Sequence, residues 1–374
     1  MYLKIKNKLF NLKYHNNKSK SKIKKINILD MNKDELINFF LKISEKSFRA
    51  MQIMKLIYHN QCNNFDEMNI NSKLKLKLKK IAEIKIPKII KQYISIDNTI
   101  KWIIQIDDQQ IETVYIPEKN RSTLCISSQI GCALKCSFCA TAKQGFNRNL
   151  RTSEIIGQIL IANKFINLFN LNKKKKITNI VIMGMGEPLL NFNNIKKSIE
   201  IMVDSFGFFL SRRKITISTS GIVPVIKKLH DMNISLAVSL HASNDTIRNK
   251  IMPINIKYNI ASLISSIKTY IKKSKKRNKR ITIEYIMING VNDKIIHAYQ
   301  LVKLLHNINC IINIIPFNSF PGSKYKCSSK QQINSFYKIL INYGIITIIR
   351  KIRGYDINAS CGQLIGKITN RIKI

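Results

Sequence analysis

Gly131-Cys-Ala-Leu-Lys-Cys-Ser-Phe-Cys139 is the stretch on which the reading of this chain turns. It sets Cys132, Cys136 and Cys139 in a Cys-x-x-x-Cys-x-x-Cys spacing, while Cys62, Cys125, Cys310, Cys327 and Cys361 are scattered. In a reducing compartment such clustering points to metal before disulfides. Three thiolates on one loop can hold three irons of a [4Fe–4S] cluster and leave the fourth iron open, whereas ferredoxin-type sites supply a fourth cysteine. Zinc is the competing reading. It asks for four ligands, usually in paired Cys-x-x-Cys units, and the chain has no second pair.

Working outward, the loop follows an apolar run at Leu124–Ser127. Further runs of strand character lie at Asn179–Met183, Ile215–Ser218, Leu236–Ser239, Thr282–Ile286 and Ile311–Ile315. Between them, Glu154–Phe169, Asn194–Asp204, Val223–Met232, Ile260–Lys272 and Ala298–Asn307 carry helical spacing. Six strands alternating with helices predict an α/β fold, a partial (β/α)6 barrel with its active site at the C-terminal ends of the strands.

Upstream, Leu36, Phe39, Phe40, Ile43 and then Met51, Ile53, Met54, Ile57 recur at helical spacing, with Ser47, Phe48 and Arg49 near a helix start. From Tyr93 to Pro117 the period changes to that of short antiparallel strands. The expected organisation is a basic, poorly ordered arm over 1–25 and a small helical accessory domain over 26–92, followed by a β-hairpin bridge over 93–117. The core barrel then spans 118–350 and a C-terminal tail 351–374.

Lys and Arg total 64 against 21 Asp and Glu, a formal charge of +43 that attracts polyanions, so RNA, DNA and anionic membranes are the candidate partners. Lys, Ile and Asn are abundant throughout, so composition accounts for part of this charge. No apolar run approaches a membrane span, and the first forty residues lack a signal-peptide core. Arg49 is the first arginine, which disfavours a mitochondrial leader. The expectation is a cytoplasmic protein with no membrane partner, acting as a monomer.

Two further motifs fall at strand ends. Met183-Gly-Met-Gly-Glu-Pro188 offers glycines for close backbone approach and a carboxylate, Glu187, for an ammonium group. Taken alone it would be an ordinary tight turn. Ser218-Thr-Ser-Gly221, Ser239-Leu-His-Ala242 and Asn318 end other strands, where a side chain reaches a ligand at the barrel mouth. The cysteine spacing, with Phe138 before the last cysteine and this glycine turn one βα unit later, resembles the radical S-adenosylmethionine superfamily. There the open iron holds the cofactor's amino and carboxylate groups, and reductive cleavage gives a 5′-deoxyadenosyl radical.

A narrower resemblance rests on Ile111-Glu-Thr-Val-Tyr-Ile-Pro117, Leu124-Cys-Ile-Ser-Ser-Gln-Ile-Gly131 with the cysteine motif, Gly145-Phe-Asn-Arg-Asn-Leu150, Met183–Asn191 and Ala359-Ser-Cys-Gly-Gln-Leu364. Together these resemble the RlmN family of bacterial dual-specificity RNA methyltransferases, over about Ser47 to Gly366. The resemblance implies that Cys132, Cys136 and Cys139 hold the cluster, and that Gly186, Glu187, Ser218, Ser239, Leu240, His241 and Asn318 contact S-adenosylmethionine. Cys361 would be the methyl-carrying cysteine, Cys125 its resolving partner and Glu112 the proton acceptor. Tyr355 and Ser360 stand where the family more often has Asp and Ala; neither change removes a reacting group.

The activity so implied is methylation of adenine C2 in 23S ribosomal RNA, protein-free or early in assembly, and in transfer RNA next to the anticodon. An adenine C2–H is neither acidic nor nucleophilic, so the family's route is radical. One S-adenosylmethionine methylates Cys361 and a second supplies the radical that takes hydrogen from the S-methyl group. The resulting methylene radical adds to C2, and Cys125 closes a disulfide that frees the product. An electron donor and a disulfide reductant follow as partners. The rivals are the related enzyme acting on adenine C8, a radical enzyme with a non-RNA substrate, and a non-catalytic iron–sulfur RNA-binding protein. From the residues alone, Cys361 and Cys125 read as buried inert cysteines, Glu112 as a solvent-facing strand residue, and Cys62, Cys310 and Cys327 as structural or incidental.

Overall fold

The computed structural model describes residues 25–168, 177–274 and 280–368. The basic arm expected over 1–25 lies, apart from Lys25, outside the described residues.

The first part of the chain is helical. Asn32 and Glu35 form a reciprocal capping box that starts α1 (Lys33–Lys42), which buries Leu36, Phe39 and Phe40 on one stripe. Against it packs α2 (Phe48–Tyr58), burying Ala50, Ile53, Met54 and Ile57, and α3 (Ser72–Ile81) then buries only Leu74 and Leu78 between its lysines. Two short parallel strands, β1 (Ile26–Asn27) and β2 (Ala82–Glu83), close this unit. Polar contacts tie it to the rest: Asp30 accepts the Ser153 amide at 2.8 Å and Lys33 pairs with Asp204 at 2.7 Å.

The next strands are continuous with the barrel. β3 (Lys88–Ile94), β4 (Ile100–Ile106), β5 (Gln109–Pro117) and β6 (Ser122–Cys125) run antiparallel in sequence and form one side of a ten-stranded sheet. The first begins at Lys88, five residues before Tyr93, and as the edge strand it carries Lys88 and Lys91 exposed, which guards against pairing with other chains. The alternation decides what each face meets. Trp102 packs on Phe165 at 5.4 Å and Thr113 bonds Gln158 at 2.7 Å, while Lys101 and Glu112 point to the opposite side.

β6 leads into the cysteine loop, clipped by the small antiparallel pair β7 (Gln129–Gly131) and β8 (Phe146–Asn149) with α4 (Ala140–Gln144) between them. α5 (Thr152–Leu168) returns the chain to β9 (Asn179–Ile182), which pairs parallel with β6. The parallel order continues through α6 (Phe192–Val203), β10 (Ile215–Thr219), α7 (Val223–Ile226) and β11 (Ser235–Ser239). After α8 (Asp245–Ile251), α9 (Ile254–Lys257) and α10 (Ile260–Lys273) come β12 (Ile281–Met287), α11 (Ile295–Leu305) and β13 (Cys310–Pro316). A last unit, α12 (Lys330–Asn342) and β14 (Thr347–Ile349), adds a seventh parallel strand to the six expected. The partial barrel is thus observed, with isoleucine filling its strands; each fully buried one contributes ~1.5–3 kcal/mol.

Besides the earlier start of β3, the structure departs from the sequence reading in these places. β6 ends at Cys125, two residues early, because Ile126 to Ser128 bend inside the protein. Gln158 receives the Ser127 amide at 2.8 Å and returns a bond to its carbonyl at 3.0 Å, replacing the ladder. The helix expected over Val223–Met232 is one turn of α-helix after Pro224 and a 3-10 turn at His230–Met232, stopped by Asn233 at φ 50°. The unit formed by α12 and β14 was not anticipated at all.

Candidate active site

At the C-terminal ends of the strands lies a cleft open to solvent. Cys132, Cys136 and Cys139 form one wall, with Gly186, Glu187, Ser218, Ser239 and His241 around the rest. Backbone contacts close the loop: Cys132 N–H donates to the Gly145 carbonyl at 2.8 Å, and Gly131, at φ 73°, leaves no room for a Cβ beside that same oxygen.

Burial pushes all three thiols up, Cys132 to about 12, and Cys132 and Cys139 raise Cys136 further. Such thiols ionise only beside added positive charge, which a metal provides. Among the described residues no three His, Cys, Asp or Glu groups converge as a single ion requires. Three thiols spread along one wall suit the separate irons of a cluster.

Glu187 is buried at 3% exposure. Its Oε1 accepts the Thr219 hydroxyl at 2.7 Å and the Leu189 amide at 3.1 Å; its Oε2 accepts the Ser220 amide at 2.7 Å. Burial raises its carboxyl, against these bonds. His241 is equally enclosed and stacks edge-on against Phe138 at 4.9 Å. Its Nδ1 accepts the Ile286 amide at 3.1 Å, which puts the proton on Nε2. Burial, helped by Arg248, brings it down to about 3, so it is a neutral donor. Leu240 contributes backbone, its amide bonded to the Glu284 carbonyl at 3.1 Å and its side chain in the core. Asn318 belongs to a neighbouring chamber; its buried Oδ1 has no partner, a group that fits a polar ligand.

That chamber is walled by Cys125, Met183, Asn318, Arg350, Lys351, Arg353 and Cys361 among others. Cys361 and Arg350 belong to the walls of both cavities. Burial pushes the Cys125 thiol up to about 12, the Cys361 sulfur adding to the rise and Arg350 opposing it. Cys125 and Cys361, 236 positions apart in the chain, thus line one chamber. Glu112 is in neither wall. It is 3% exposed, paired with Lys101 Nζ at 3.1 Å and accepting the Ile365 amide at 2.9 Å; burial raises its carboxyl, against Lys101 and that bond. Of the remaining cysteines, Cys62 and Cys310 are buried away from the cleft, and Cys327 is exposed.

The sequence reading missed three charged groups here. Glu284 lines the cleft and faces Arg350 at 3.9 Å, with Asn313 donating to it at 2.8 Å; an acid in the apolar run Ile281–Met287 was the available signal. Arg350 follows the unanticipated β14. Arg248 is fully buried, its Nη2 donating to the carbonyls of Ser220 (2.7 Å) and Ser239 (3.1 Å) and its Nε to that of Leu240 (3.0 Å). It fastens the ends of β10 and β11 together, and no spacing rule marks it.

Known proteins now place this arrangement. The chain matches the ribosomal RNA large subunit methyltransferase N-terminal domain over residues 26–84 and the radical SAM superfamily over 126–302. It is 61% identical over 351 residues to the dual-specificity RNA methyltransferase RlmN of Wigglesworthia glossinidia brevipalpis, covering 93% of this chain and 92% of that protein. The chain belongs to the RlmN family. A crystal structure of a radical SAM methyltransferase from Sphaerobacter thermophilus superposes with a TM-score of 0.85 at 35% identity, over 91% of this chain and 99% of that one. As an RlmN-family member, the chain uses a [4Fe–4S] cluster and S-adenosylmethionine. Among the described residues no helix is long and apolar enough to cross a membrane.

Proposed function

We propose that this chain methylates carbon 2 of an adenine in 23S ribosomal RNA and in transfer RNA next to the anticodon, with Cys361 as methyl carrier. The observation that carries this reading is the place of Cys361, in the wall shared by the cysteine-lined cleft and the chamber of Cys125. One sulfur there can serve a cofactor on one side and a substrate on the other. Ribosomal RNA would be taken protein-free or early in assembly, since the adenine must leave its stack to reach a buried sulfur.

In this reading Cys132, Cys136 and Cys139 hold the cluster. Gly186, Glu187, Ser218, Ser239, Leu240, His241 and Asn318 receive S-adenosylmethionine, Glu187 meeting its ammonium group. Two cofactor molecules are used per turnover, one as methyl donor to Cys361. When bound, cluster and cofactor together supply the hydrogen-abstracting radical, chemistry that belongs to them and not to the protein. The chain's part is position and proton handling. His241 stays neutral and donates from Nε2. Cys125 keeps its proton while the carrier is loaded; once that proton leaves, its sulfur bonds to the Cys361 sulfur as the sulfur–carbon bond to the base breaks, the freed carbon takes up a proton to become the methyl group, and the one excess electron of the adduct returns to the redox group that supplied it. The family resemblance makes Glu112 the acceptor of the C2 proton, although it lines neither cavity and is paired with Lys101. An electron donor and a disulfide reductant complete the cycle, which runs in the cytoplasm on a monomer. The division of the chain into accessory domain, bridge, core and tail is part of the same proposal, with the +43 charge holding RNA.

The test is Cys125→Ala, assayed anaerobically with reconstituted cluster and precursor RNA. The enzyme should accumulate covalently joined to RNA through Cys361, and Cys361→Ala should form neither adduct nor product. Normal turnover of Cys125→Ala without an adduct would overturn the two-cysteine route. Nucleoside mass spectrometry finding the methyl group on C8 would reassign the position.

A further inference from the structure

The segment carrying Cys361 has no regular secondary structure after β14, yet it is fastened at many points. Asp97 accepts the Gly354 amide at 3.1 Å, Thr141 donates to the Leu364 carbonyl at 2.7 Å and the Gln110 amide to that of Lys367 at 2.9 Å. One element joins the limb before Cys361 to the limb after it. Lys101 on β4 and Glu112 on β5 form an ion pair at 3.1 Å, both side chains almost wholly buried. They are diagonal neighbours on one face, since Lys101 stands opposite Val114 and Glu112 opposite Ile103. What the pair leaves free goes to the tail: Lys101 Nζ donates to the Asn358 carbonyl at 3.2 Å, and Glu112 Oε2 accepts the Ile365 amide at 2.9 Å. These anchors fall three residues before Cys361 and four after it.

We propose that the Lys101–Glu112 pair is a clasp that holds the Cys361 loop in place, with Lys101 as a positioning residue for the methyl carrier. Desolvating two charges is a poor route to stability, and well-packed apolar residues usually do as well. A buried pair that hands its remaining hydrogen bonds to one loop is explained by placing that loop. Val114, which stands opposite Lys101 and two residues from Glu112, lines the chamber that Cys361 also lines, so the clasp and the chamber share one stretch of β5. Importance of the sulfur's position to catalysis rests on the function proposed above; the clasp itself does not.

The experiment compares Lys101→Met, Lys101→Arg and the double variant Lys101→Met/Glu112→Leu as cluster-loaded full-length protein. Hydrogen–deuterium exchange reads the amides of residues 354–368 against those of the parallel strands. In Lys101→Met the tail amides should exchange about tenfold faster, the change expected when a hydrogen-bonded tether is lost, with strand amides and iron content unchanged. 5′-Deoxyadenosine formed per methylated adenine should rise, because the carrier is misplaced while the cleft is intact. Lys101→Arg should restore both. Unchanged tail exchange in Lys101→Met overturns the proposal. If Lys101→Met unfolds, the double variant, which leaves no unpaired buried charge, must fold and show the faster tail. A protected tail there, or failure of the double variant to fold, equally overturns it. If the parent makes no methylated adenine, the functional reading fails while the exchange result still decides the clasp.

Discussion

Gly186→Ala probes how the glycine turn builds the cofactor side of the cleft. Gly186 has φ 93°, where an L side chain costs about 1–2 kcal/mol. A Cβ there would lie 2.4 Å from Gln129 Cβ and 2.6 Å from its Cγ. Gln129 cannot swing aside: it is 1% exposed, its amide donates to Asn149 at 2.7 Å, and its carbonyl accepts the Glu187 amide at 2.8 Å. Overpacking of this kind costs ~1–3 kcal/mol, and losing the Gln129–Glu187 bond about 1 more. The total, about 3–6 kcal/mol, is a large share of the stability of an ordinary domain. Urea unfolding should show it, and calorimetry should show weakened S-adenosylmethionine binding in whatever folds, since Glu187 moves with its neighbour. Gly344→Ala is the control. Its φ is 75° but nothing lies within 4 Å of the added Cβ, so it should cost only ~1 kcal/mol. Equal effects of the two substitutions, or a Gly186→Ala protein that binds cofactor normally, would refute the reasoning.

Arg248→Met should lose about 3–5 kcal/mol by urea unfolding, because the carbonyls of Ser220, Ser239 and Leu240 lose a shared buried donor. A loss below ~1 kcal/mol would mean that water replaces the guanidinium. His241, held at about 3, stays neutral in the fold while an unfolded histidine gains a proton below about pH 6.5. Its contribution is therefore present above that pH and lost as pH falls toward 3, by ~1.4 kcal/mol per unit. The stability difference between parent and His241→Asn should follow that slope between about pH 6 and pH 4, and parallel curves would exclude it.

What could be read from the sequence was what local periodicity and spacing encode. Six strands of the barrel alternate with helices whose apolar stripes repeat, and the cysteine and glycine motifs fall at strand ends because that is where loops face the cleft. Where the signal was weak, a second interaction had replaced the local one. β6 stopped at Cys125 since Gln158, not a neighbouring strand, satisfies Ser127. Glu112 alternated like a surface residue because period two specifies a face without saying what covers it; the cover here is the tail, some 250 positions later. Lys101 was hidden for the same reason. Arg248 and Arg350 were illegible because a buried guanidinium is marked by the acceptors around it, which tertiary structure alone assembles.

The two halves of the site differ in what holds them, and this bears on how each tolerates change. The cysteine-loop side rests heavily on backbone, with the Gln129 side chain as a tie to Asn149 and Glu187: Cys132 bonds Gly145, the Ser128 and Gln129 amides both reach the Met185 carbonyl, and Gly184 N–H donates to the Ile126 carbonyl. Such contacts are indifferent to most side chains and intolerant of added Cβ atoms, which is why glycine and cysteine spacing announces this half in one dimension. The Cys361 side relies more on side chains reaching an irregular segment, Lys101 and Glu112 from one face, Thr141 from another and Asn318 from β13's exit at 3.4 Å from the Cys361 carbonyl. Cys361 lines both cavities from one position, and bonds to a coil segment hold it there without drawing the sheet's own ladder into the site.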